Sequence, residues 1–138
     1  MSARGATGAR DCSRLDAVNR LAQAKKFLEV AEMCLDDGDE STPMVAAALS
    51  VLAGIAASDA ACCAKLKERS RGKNHHDAEK LLATIHPDGH EMKLNLQRLI
   101  NEKDNAHYGT MMVSNGKATK MVGWARKLID LADQALTD

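Results

Sequence analysis

Aromatic residues are nearly missing from this 138-residue chain, where Phe27, Tyr108 and Trp124 make up 2% of the positions. So few rings count against binding single-stranded nucleic acid by stacking successive bases. The core must then come from Ala, Leu, Val, Ile and Met, whose smaller members let helices approach toward the short end of the roughly 8–10 Å interaxial range. An excess of charge is missing too, with 19 basic against 19 acidic residues. No global attraction to nucleic acid or to an anionic membrane follows, so any such contact has to be local. The four cysteines, Cys12, Cys34, Cys62 and Cys63, include no CxxC pair and no secretory signal precedes them. Reduced thiols and a cytoplasmic location are the expectation. There is no nucleotide loop, nucleophile elbow or zinc motif. His86 and His90 have a ligand-like interval, but Pro87 and Gly89 interrupt it and no further ligands complete a set, so neither metal nor cofactor is expected.

What remains is a chain of one-domain length in which 45% of the residues are hydrophobic, enough for a real core. Residues 1–12 read as a disordered tail and 13–138 as one helical domain. The apolar run from Met44 to Ala64 has about the length of a membrane span. It owes its apolarity mostly to alanine, and Asp59 at a bilayer centre would cost roughly 2.5–3.5 kcal/mol. A buried helix of a bundle, with no membrane partner, is the expectation.

Periodicity and punctuation give five helices and no strand pattern. The first spans about Ser13 to Leu35, with Leu15, Val18, Leu21, Ala22, Leu28, Ala31 and Leu35 on its buried face. Ser41-Thr42-Pro43, a capping residue with proline at the helix start, opens the second, which runs to about Lys67. It is apolar almost all round and so belongs at the centre. Asn74 caps a short third helix from His75 to Ile85, ended by Pro87-Asp88-Gly89. The fourth runs from about His90 to Tyr108, closed by Gly109, and the last from about Asn115 to Leu136. The fold class is all-α: an up-and-down bundle of four long helices plus one short helix.

Stepping along the fourth helix from Leu96 through Ile100 leads to Lys103 and His107, two polar residues where the pattern predicts burial. Both lie on one face and both can reach one anionic group. A histidine exchanges protons near neutral pH, and a lysine stabilises charge on a phosphate. Fraying of the stripe into cations at a helix end is the alternative. Asp59 interrupts the apolar second helix and needs a partner, because an unpaired buried carboxylate is expensive. Lys65, Lys67, Arg69, Arg71 and Lys73, followed by His75 and His76, form the one basic patch. It reads either as a phosphate-binding surface or as a solvated helix end and turn.

The string Lys103-Asp104-Asn105-Ala106-His107-Tyr108-Gly109 near the end of a penultimate long helix resembles the signature of HEPN domains. The resemblance extends over residues 14–136 and includes the helix order, the internal acid Asp59 and the stretch from Ser70 to His75. It implies an all-α bundle, often a metal-independent ribonuclease or toxin, whose motif is an arginine and a histidine with four to six residues between them. Here Lys103 occupies the arginine's place, with only three residues between it and His107. Lysine lacks the planar fork that grips a phosphate through two bonds. By this resemblance His107, Lys103, Asp59 and Asn105 are the candidate catalytic residues. Tyr108, Asp104, Arg69, Arg71, Lys73 and His75 are the candidate binding residues. Asp59 would orient His107 or pair with Lys103. The functional expectation is a module that binds RNA, a nucleotide or a protein, with a metal-independent ribonuclease or toxin as the alternative. A homodimer through the last two long helices and a nucleotidyltransferase-type antitoxin are the expected partners.

Overall fold

The computed structural model describes residues 9–36, 38–70, 75–103 and 113–137. The fold is all-α, with one two-stranded ribbon attached. In chain order the elements are β1 (Ala9–Asp11), α1 (Arg14–Leu35), α2 (Thr42–Leu66), β2 (Glu68–Ser70), α3 (His75–Ala83), α4 (Gly89–Asn101) and α5 (Asn115–Thr137).

Helix α1 begins where Ser13 and Asp16 form a reciprocal capping box: the Ser13 hydroxyl accepts from the Asp16 amide, and the Asp16 carboxylate accepts from the Ser13 amide. Its buried face is Ala17, Leu21, Ala24, Leu28 and Ala31. The expected face is therefore turned. Leu15 is 66% exposed and Val18 46%, while the alanines that alternate with Leu21 and Leu28 take the interior positions. Size decides this, because alanine permits a closer approach of α1 to α2, and Leu15 and Val18 lie off that seam. Ser41 does precede α2, but its hydroxyl makes no capping bond; its amide instead donates to Asp39 Oδ1.

Helix α2 is the central element, as its all-round apolarity predicts. It packs against α1 and α5 and touches α4 and α3. It is the one helix among the described residues long and apolar enough to cross a membrane, and 72% of its most apolar window is buried inside the bundle. Gly54 marks its closest approach to α4: a Cβ there would meet Leu99 Cδ1 at 2.4 Å. The amphipathic helices α4 and α5 bury Met92, Leu96 and Leu99, and Met121, Ala125, Leu128 and Ala132, respectively. The described part of α4 ends at Asn101, with Glu102 as its C-cap. The expected continuation to Tyr108 and closure at Gly109 lie outside the described residues. All the exposed large apolar side chains among the described residues belong to α1 and α2.

The ribbon was not expected. Ala9, Arg10 and Asp11 pair antiparallel with Ser70, Arg69 and Glu68. The end assigned to a disordered tail is thus part of the fold from residue 9. Two constraints outside the strands hold it: the Cys12 amide donates to Lys67 O at 3.0 Å, and Cys12 forms a disulfide with Cys63. The expectation of four reduced thiols is corrected accordingly, leaving Cys34 and Cys62 free. Three-residue strands are too short to show a period-two pattern, and the pairing depends on a contact between residues 51 apart in sequence.

Candidate functional site

The α1–α2 hairpin sets Arg20 beside Asp59. Arg20 donates from Nε at 3.0 Å and Nη2 at 2.7 Å, both to Asp59 Oδ2. Its Nη1 donates to Gln23 one turn along α1. Asp59 is 7% exposed, so its carboxylate has left water and is stabilised by these charge-assisted bonds. Burial pushes its carboxyl above the ordinary range, while the Arg20 hydrogen bond and the charges of Arg20 and Arg69 pull it back.

At the end of α2 the chain turns through Lys67, whose left-handed backbone (φ 60°) ends the helix. It then enters β2, which lays Arg69 across Asp59, with Nη1 3.6 Å from Oδ2. Helix α3 begins immediately beyond, and its first residue, His75, reaches the same pocket. His75 Nε2 lies 3.3 Å from Lys103 Nζ. An ammonium only donates, so Nε2 is the acceptor and the ring proton belongs on Nδ1. Desolvation, followed by the Lys103 charge, lowers the His75 pKa; Glu79 and Asp59 oppose the shift. At neutral pH this imidazole is an uncharged donor whose basic nitrogen is occupied.

These groups surround a pocket of about 160 Å³. Five elements converge on it: Arg20 from α1, Ser58 and Asp59 from α2, Arg69 and Ser70 from β2, His75 from α3, and the apolar surface of Leu96 from α4. Ser58 is 1% exposed, and its hydroxyl has no hydrogen-bond partner of normal geometry among the described residues. It leans toward the Cys62 thiol one turn on, which burial together with Asp59 and Glu68 pushes up to about 12. Such a thiol stays protonated and unreactive.

No protein-family model and no curated protein matches the chain.

Of the residues singled out from sequence, Asp59, Arg69, His75 and Lys103 are brought into one cluster. The pairing differs from the expectation: Lys103 meets His75, and the acid's first partner is Arg20. Asp104, Asn105, His107 and Tyr108, with Arg71 and Lys73, lie outside the described residues. Two members of the site were missed. Arg20 stands between Ala17 and Ala24 at helical steps of three and four, so the turned face of α1 carries it to the interior edge. Ser58 gives no signal in the sequence, because a serine inside a helix is commonly satisfied by a carbonyl of the preceding turn. No local signal announced that two buried polar residues in succession, Ser58 and Asp59, face a common cavity.

Proposed function

We propose that the chain is a HEPN-like helical module that binds a phosphate-bearing ligand, RNA or a nucleotide, in the pocket between α1, α2, β2 and α3. The observation that carries this reading is the clustering of Arg69, His75 and a buried hydroxyl, without a partner of normal geometry among the described residues, around a small cavity whose one lining carboxylate is already held by Arg20. An anion entering there meets donors, and the carboxylate that would repel it is compensated.

Binding without catalysis is favoured by the state of the histidine. His75 has its basic nitrogen against an ammonium, so it is a poor proton acceptor, and Lys103 is turned to that ring. The ribonuclease alternative rests on His107, whose surroundings are not described.

The test is titration of labelled RNA and of a nucleotide into the full chain without added metal, with cleavage followed on gels. The expected outcome is saturable binding that weakens as salt rises and falls in Arg69→Ala, with the RNA left intact. Absence of binding at micromolar protein would sink the reading. Cleavage that His107→Ala abolishes would replace it with the nuclease.

A further inference from the structure

The shape of the pocket bears on which phosphate can enter it. At about 160 Å³ it is roughly half the lower end of the 300–1,000 Å³ range of cavities that enclose a whole small-molecule ligand. Counting roughly 30 Å³ of liquid volume per water, it holds about five waters, or one tetrahedral oxyanion with a little hydration. It does not hold a nucleoside. Its lining is shared by five elements, α1, α2, β2, α3 and α4, and the apolar surfaces of Ile55, Ala78 and Leu96 narrow it. An internal phosphodiester must bring chain in and take chain out. A pocket of about 160 Å³ takes in the phosphate of a chain end, whereas an internal diester would have to bring a nucleoside in on each side of it.

The donors match an end group. A phosphomonoester offers three terminal oxygens and, with its second ionisation near pH 6, carries close to two negative charges at neutral pH. Three kinds of donor face it. Arg69 touches Asp59 through one terminal nitrogen at 3.6 Å and presents a planar fork. His75, with Nε2 against Lys103, carries its proton on Nδ1. The Ser58 hydroxyl is buried and has no partner of normal geometry among the described residues, an arrangement that an incoming acceptor would relieve. Two carboxylates oppose an anion. Asp59 is held by two N–H groups of Arg20, and Glu79, one turn along α3 from His75 and not part of the lining, accepts from Gln97 Nε2 at 3.2 Å.

We infer that the group this pocket holds is a terminal phosphomonoester, borne by an RNA end or by a free mononucleotide, and not an internal diester. The inference rests on the phosphate-binding reading above. Arg20 is then a positioning residue, which keeps Asp59 from repelling the ligand.

The experiment compares one RNA sequence in three forms, with a 5′-phosphate, a 3′-phosphate or hydroxyls at both ends, by fluorescence anisotropy with the full chain. A phosphorylated end is expected to tighten binding about tenfold or more. Ser58→Ala should keep the fold, melting no lower than the wild type because it removes an unsatisfied hydroxyl, and should reduce that preference severalfold. A mononucleotide that displaces the phosphorylated RNA at comparable concentration assigns the free nucleotide as the source, and one that does not assigns the RNA end. Equal affinity for all three forms, lost together in Arg69→Ala, would overturn the end-group inference and leave phosphate binding standing. No binding of any form would overturn both.

Discussion

Replacing Arg20 with Met removes the main partner of a carboxylate that has left water, and the structure sets the size of the loss. Two charge-assisted bonds, at 3.0 and 2.7 Å, fall on one oxygen. Removing one member of a buried ion pair costs roughly 3–5 kcal/mol. Here the Arg20 side chain is 29% exposed and the Asp59 side chain 9%, so water can enter part of the vacated space, and Arg69 stays nearby. The expected loss is therefore about 2–3 kcal/mol, below the buried-pair range. Asp59→Asn should cost only about 1 kcal/mol, because it removes the charge whose burial is expensive while Arg20 turns to solvent. The double variant should lose about 1.5 kcal/mol less than the sum of the two, the signature of a direct interaction. Urea unfolding followed by circular dichroism measures this, with the Arg20→Met midpoint expected about 1 M lower. The deficit also has a pH dependence. Asp59 has a raised folded-state pKa, so its contribution is most favourable below the unfolded value of 3.8 and is lost as pH rises through the folded value. Removing Arg20 raises the folded value further, so the deficit should be largest at neutral pH and close as pH falls toward 3.8. An Arg20→Met protein within about 0.5 kcal/mol of the wild type, or strict additivity in the cycle, would refute the reasoning.

Two further outcomes are expected. The Cys12–Cys63 bridge joins residues 51 apart, and a loop of that size corresponds to about 4 kcal/mol of lost chain entropy in the unfolded state, so Cys12→Ser should unfold at clearly lower urea than the oxidised wild type. Thiol titration of the unreduced protein in denaturant should find Cys34 and Cys62 only; reaction of all four would contradict the bridge. In NMR titrations His75 should protonate below its ordinary 6.5, and Lys103→Met should move it upward. Stability from this residue is then present above 6.5 and lost as pH falls through the folded value, and a His75 that titrates above 6.5 would disprove the Lys103 contact.

The helices were legible because each carries its own evidence. The proline-marked start of α2, its unbroken apolarity and the apolar stripe of α4 are local patterns whose physics acts within a few residues. Even there, the face of α1 was right at Leu21, Leu28 and Ala31 and misjudged at Leu15, Val18 and Ala22. Hydrophobicity ranks leucine above alanine, whereas a tight helix seam selects the smaller side chain. Asp59 was legible as an anomaly, since a carboxylate in an apolar helix has to be compensated, but its partner was not. Candidates on several elements satisfy the same charge requirement, and only the docking of α1 on α2 chose Arg20 over Lys103.

The amino-acid sequence alone determined an all-α chain with a central apolar helix, a buried acid in it and a basic segment after it, because periodicity, capping and the cost of burying charge are short-range effects. The tertiary structure decided what those pieces do together. It folded β1 onto β2, joined Cys12 to Cys63, laid Arg69 over Asp59, and set Lys103 against His75 beside a pocket lined by five elements. Each of these joins residues distant in the chain, and such contacts leave no period or spacing in the sequence that makes them.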